Sequence, residues 1–95
     1  DVSRALELNP RDADAWEERG KDYGLLGQYD KAVADLSRAL ELDPSDAWAW
    51  GKRGIVYGFL GKPDKAVADL SRALELDPSD AWTWGRRGYA YGLLG

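Results

Sequence analysis

The segment DKAVADLSRALELDPSDAW runs from Asp30 to Trp48 and again, unchanged, from Asp64 to Trp82, an offset of 34 residues. A shortened form, DVSRALELNP, opens the chain, so the same text begins three times. A unit of this length has room for two short helices and two turns, and cannot bury its apolar face alone. A chain written this way must stack its units and reuse one packing solution at each interface. Identity over 19 residues points further, to recent duplication or to design.

Within the repeated text, Ala32, Val33, Leu36, Ala39, Leu40 and Leu42 recur at spacings of three and four, the period of an amphipathic helix. Asp30 falls in its first turn, where a carboxylate favours the positive helix end, and Pro44 closes it. Lys31, Asp35, Arg38 and Glu41 lie on the opposite face and are expected in solvent. The other half of each unit spans residues 13–26, 47–60 and 81–94. Ser45 and Asp46 offer capping oxygens before the middle one, and Gly27, Gly61 and Gly95 supply the stops. Trp50, Gly54 and Tyr57 share one face of that helix, matched by Trp16, Gly20 and Tyr23 and by Trp84, Gly88 and Tyr91. A bare glycine between two large rings predicts close approach by a neighbouring helix, with the rings as core.

These residues carry a family pattern: W-x-x-x-G-x-x-Y, then G, then A-x-x-x-L-x-x-A-L-x-L-x-P. It resembles the tetratricopeptide repeat, in register over the whole chain. The resemblance implies an all-α fold, a right-handed superhelical solenoid of antiparallel helix pairs. The expected division is a partial second helix over 1–10, complete repeats over 13–44 and 47–78, and the first helix of a further repeat over 81–95. It also implies a concave groove, lined by the first helix of each pair, that holds peptides or partner proteins. One departure is regular: Arg19, Arg53 and Arg87 stand where the family often has Leu before the core glycine. Each Arg stem can pack, but its guanidinium needs a partner. Asp35 and Asp69 lie at the matching offset on the second helices, which predicts the pairs Arg19–Asp35 and Arg53–Asp69.

The composition narrows the function. A net charge of −4 and a pI near 4.7 argue against a nucleic-acid surface, which needs clustered Lys and Arg. No apolar run approaches the roughly 20 residues of a membrane span. The chain has no Cys, which excludes thiolate sites and identifies no compartment, and no His, which removes the usual general base and the commonest metal ligand. GFLGKPD lacks the glycine and hydroxyl residue of a phosphate-binding loop, and no cofactor or metal motif is found. An enzyme is not expected. The absence of Met makes Asp1 an unexpected translation start, and the chain reads as an excised, processed or engineered piece.

A second stripe on the first helices carries the functional expectation. Trp48, Gly51, Ile55, Gly58 and Phe59 form a face distinct from that of Trp50, and Trp82, Gly85, Tyr89, Gly92 and Leu93 repeat it. Mid-helix glycines cost about 1 kcal/mol each relative to Ala, so close approach by another group is expected. Carried over from the family, this face is the groove, with Lys52 and Arg86 at its edge. The first copy places Asp14, Glu17, Lys21, Gly24 and Leu25 there, so the groove is polar at one end and aromatic toward the other. The Asn residues of the family's carboxylate clamp are absent from these positions, which favours a peptide with apolar anchors. The competing reading has Trp48 and Trp82 packing between adjacent helices, with Gly51 giving them room. A further alternative is a structural building block, without a dedicated ligand, that associates with its own copies head to tail or by domain swapping. Val2, Leu6 and Leu8 of one chain would then cover Trp84, Arg87 and Tyr91 of another, with Asp1 opposite Arg87.

Overall fold

The computed structural model describes residues 2–94. They form six helices: α1 Val2–Leu8, α2 Ala13–Leu25, α3 Tyr29–Leu42, α4 Ala47–Phe59, α5 Pro63–Leu76 and α6 Ala81–Leu94. Among the described residues there is no strand. Connections of three or four residues turn each helix back against its predecessor, giving an elongated body of 44 × 26 × 17 Å. The fold is an all-α solenoid.

The punctuation is local chemistry. Asp12 and Asp46, in extended backbone, accept hydrogen bonds from the amides of Ala15 (3.2 Å) and Ala49 (3.3 Å), and Asp80 does the same for Thr83 (3.4 Å). The Asp, not the neighbouring Ser, is the cap: Ser45 instead turns back to Asp43, its hydroxyl donating at 2.7 Å. Gly27 and Gly61 leave α2 and α4 with φ of 78° and 73°, a conformation that costs glycine little, and Gly95, the third expected stop, lies outside the described residues.

Packing follows the repeat. Leu36 and Leu70, the most deeply buried large side chains, sit beside Ala32 and Ala66 on α3 and α5. Each presses on the glycine of its own pair. A Cβ on Gly20 would lie 3.0 Å from Leu36 Cγ, and one on Gly54 would lie 2.9 Å from Leu70 Cγ and 3.2 Å from the Ala66 carbonyl oxygen. The glycines at these positions are therefore where the two helices of a pair meet, as the sequence pattern requires.

The flanking rings are less buried than expected. Trp16, Trp50, Tyr23 and Tyr57 are half-buried, and Trp84 and Tyr91 are exposed. Each indole N–H donates at 2.8 Å to a proline carbonyl, of Pro10, Pro44 or Pro78, which ties it to the edge of its helix pair, and the α6 rings are the more exposed because α6 packs only on α4 and α5 among the described helices. The buried positions fall instead to the small residues Ala15, Ala49 and Thr83 and to Val56 and Ala90.

Between Trp and Tyr lies the arginine of the same helix. Arg53 binds Asp69 through two parallel bonds, Nε to Oδ2 at 2.7 Å and Nη2 to Oδ1 at 2.9 Å, and Arg19 binds Asp35 likewise at 2.7 and 3.0 Å. Both expected pairs are present. Asp35 is thus buried and not solvated with the other polar residues of α3. Each guanidinium also reaches back to a serine on the preceding helix, Ser3 for Arg19 at 3.3 Å and Ser37 for Arg53 at 3.0 Å. Arg53 lies over the rings of Trp50 (5.0 Å) and Tyr57 (5.6 Å), so one side chain ties three helices together.

Candidate peptide-binding groove

The first helices of successive pairs touch each other, α2 with α4 and α4 with α6, whereas the second helices α1, α3 and α5 do not. A stack closer together along one side curves toward it. The inner surface is therefore that of α2, α4 and α6, the side bearing the second stripe.

Two openings lie between α4 and α6. One, near the helix starts, is lined by Ala47, Trp48, Gly51, Lys52, Asp80, Trp82 and Thr83. Trp48 and Trp82 remain 43% and 46% exposed, so they are not consumed by packing between helices. The Lys52 ammonium sits over both indoles, 5.5 Å from the Trp48 ring and 4.9 Å from that of Trp82, and the Arg86 guanidinium covers Trp82 at 5.5 Å. The ring quadrupoles hold these cations over the indole faces. The second opening is lined by Gly54, Ile55, Gly58, Phe59, Ala66, Leu70, Arg86, Tyr89, Ala90 and Leu93.

The glycines of the stripe serve different ends. Gly51 is buried, its missing Cβ 3.9 Å from Ala73 Cβ and 4.0 Å from Thr83 Oγ1. Its neighbours there are α5 and α6 and not the indoles, and a Leu would press on Ala73 and Thr83 before it filled the groove. Gly58, Gly85 and Gly92 face open space. Phe59 turns partly aside to stack on Tyr29 of α3, with centroids 5.2 Å apart and planes 11° from parallel. On α2 the corresponding surface carries Asp14, Glu17, Glu18 and Lys21, so charge changes along the groove from acidic at α2 to cationic and aromatic at α4 and α6.

Of the residues expected at a self-association surface, Trp84 and Tyr91 are exposed on α6. Arg87 stacks on both, at 4.5 and 5.7 Å, and donates to Ser71 at 3.3 Å. Leu6 does not fit that expectation: it is 5% exposed because α2 already covers it. Val2 is half-buried and Leu8 exposed. Asp1, expected opposite Arg87, lies outside the described residues.

Sequence comparison agrees with the fold. A TPR repeat model matches residues 20–61, and a tetratricopeptide repeat model matches residues 47–80, so the two together run from the glycine of the first pair to the turn before α6. The chain belongs to the tetratricopeptide repeat family. A comparison with curated protein sequences returned no match. Among solved structures, this tetratricopeptide repeat protein is similar to the MamA protein at 26% identity and a TM-score of 0.95, over 99% of this chain and 51% of that one. It thus spans about half the length of MamA. It is similar at 26% identity to YrrB, described as a TPR protein with an unusual peptide-binding site, with a TM-score of 0.87 over 92% of this chain and 45% of that one. The first TPR of Spaghetti (RPAP3), solved bound to HSP90 peptide SRMEEVD, shares the fold at 24% identity and a TM-score of 0.95, over 98% and 74% of the two chains.

Several contributors escaped the sequence reading. The serines Ser3, Ser37 and Ser71, spaced 34 apart, receive the arginines, and the proline carbonyls receive the indoles. Their regular spacing was the available signal.

Proposed function

We propose that the chain is a protein-interaction scaffold, with repeats over 13–44 and 47–78, that holds a partner peptide by apolar anchors in the groove of α4 and α6. The observation that carries this reading is the pair of half-exposed indoles, Trp48 and Trp82, with Lys52 between them. Aromatic residues at a concave surface supply large contact area at low entropic cost, and such anchors dominate the binding energy of interfaces that contain them. Ile55, Phe59 and Tyr89 continue the apolar wall, Gly85 leaves the backbone of α6 bare, and Arg86 adds a second cation at the rim. The peptide-binding descriptions of YrrB and of the first TPR of Spaghetti support the same class of partner. Selection from a library of random displayed peptides should yield binders that lose at least about tenfold in affinity on Trp82→Ala, with helicity by circular dichroism unchanged. Binders indifferent to both Trp48→Ala and Trp82→Ala, or no binders at all, would reject the groove.

A second reading, association between copies, rests on Arg87. Arg19 and Arg53 each hold an Asp, whereas among the described residues no carboxylate meets Arg87. The open face of Trp84, Gly88 and Tyr91 would then be covered by a second-helix surface from another copy, which offers Val2, Ala5 and Leu8. Such a contact is heterologous and propagates unless its rotation closes. Sedimentation should show mass rising with concentration toward the millimolar range, and Arg87→Glu with Trp84→Ala should abolish the rise. A monomer throughout would dismiss self-association.

A further inference from the structure

The opening between α4, α5 and α6 has a feature that the repeat itself explains. At the same place in successive first helices stand Val56 and Ala90, each buried against the alanine and leucine of the preceding second helix. At the first interface Val56 Cγ2 reaches to 3.9 Å from where a Cβ on Gly24 would lie. At the second, Ala90 lacks the two methyl groups, and Gly58, the counterpart of Gly24, has nothing within 4 Å. The result is a slot of about 90 Å³ floored by Gly54, Ala66, Leu70 and Ala90. This is smaller than the apolar cavity of about 150 Å³ that takes a benzene ring, and suits a branched aliphatic side chain and not an indole. At its rim stand the Arg86 guanidinium and the exposed Tyr89. Lys52, which shares the Trp82 ring with Arg86, brings a second cation to the same side.

We infer that this slot is an anchor socket for one leucine-sized side chain of a partner peptide whose neighbouring residues are acidic. The inference rests on the groove reading and adds a specific subsite to it. Shape comes from the Val-to-Ala difference between Val56 and Ala90. Charge comes from Arg86 and Lys52, and the acidic residues Asp14, Glu17 and Glu18 lie on α2. An acidic segment is therefore attracted to the α4–α6 end and repelled from the α2 end, which places it over the slot.

The probes are dye-labelled, acetylated and amidated pentapeptides, so that no terminal carboxylate contributes: Glu-Glu-Leu-Glu-Glu, the same peptide with central Ala, and Lys-Lys-Leu-Lys-Lys. Anisotropy should show the Leu peptide binding at least about tenfold tighter than the Ala peptide, the discrimination typical of a hydrophobic pocket that loses several methyl groups. Chemical-shift changes should centre on Ile55 and Ala90. Ala90→Val places at the second interface the side chain the first already accommodates. It should leave the melting midpoint unchanged or higher while weakening the Leu peptide at least about tenfold and leaving the Ala peptide unaffected. Gly58→Ala, a smaller intrusion into the same slot, should weaken it less. Equal binding of the Leu and Ala peptides, tighter binding of the Lys peptide, no Leu-peptide binding at millimolar concentration, or indifference to Ala90→Val would each overturn the socket. If Trp82→Ala abolishes binding of library-selected peptides while Ala90→Val does not weaken the Leu peptide, the socket fails and the groove reading stands. If the library yields no groove binder, that reading fails by itself.

Discussion

Asp69→Ala should destabilise the chain by about 3 kcal/mol, near the lower end of the range of about 3–5 kcal/mol for breaking a buried ion pair from one side. Asp69 and Arg53 are 7% and 18% exposed in their side chains, and their two parallel bonds leave both carboxylate oxygens satisfied. Removing the carboxylate strands a guanidinium that cannot shed its charge. The cost stays below the upper end because Ser37 and the rings of Trp50 and Tyr57 still receive it. Asp69→Asn, which keeps one acceptor, should lose less. Urea unfolding measures both, and an Asp69→Ala loss under about 1 kcal/mol would mean the pair is dispensable. The hydrogen bonds to Asp69 raise the Arg53 pKa above its ordinary value; burial opposes the shift and the Asp69 charge adds to it. A raised folded-state pKa gives stability that is fully present below the unfolded value and lost only as pH rises through the folded one. For arginine that window lies above about pH 12, so the arginine should add no pH dependence to the Asp69→Ala deficit between about pH 7 and about pH 10.

The same substitution at two repeat-equivalent glycines should have opposite signs. Gly54→Ala puts a methyl 2.9 Å from Leu70 Cγ and 3.2 Å from a backbone oxygen, neither of which is the free end of a flexible chain. The α4–α5 pair must open to admit it, at a cost in the upper part of the range of about 1–3 kcal/mol for overpacking, which outweighs the gain of about 1 kcal/mol from replacing a helical glycine. Gly88→Ala meets nothing within 4 Å and keeps that gain, so it should stabilise by about 0.5–1 kcal/mol. Thermal or urea unfolding of the two variants suffices. Stabilisation by Gly54→Ala would show that the close approach of Leu70 is not rigid.

The repeat period, the 3-and-4 spacing in DKAVADLSRALELDPSDAW, the aspartate caps and the exit glycines are local or periodic properties, and they determine the six helices and their stacking. Even the pairing of Arg53 with Asp69 was legible, because a fixed offset between helices of one unit recurs and a buried cation must be answered. What no period records is how far each side chain ends from its neighbours. The Trp and Tyr rings were expected as core, but they lie at the edge, the indoles tied to proline carbonyls, and burial falls to Ala49 and Val56. Gly51 and Gly58 share one stripe in the sequence of α4, yet one is buried beside Ala73 and Thr83 and the other borders an open slot. Leu6, read as part of a free face, is already spent on α2. Local propensity and periodicity say which residues share a face; only the packed arrangement of three helices decides which of those faces is filled by the chain itself and which is left for a partner.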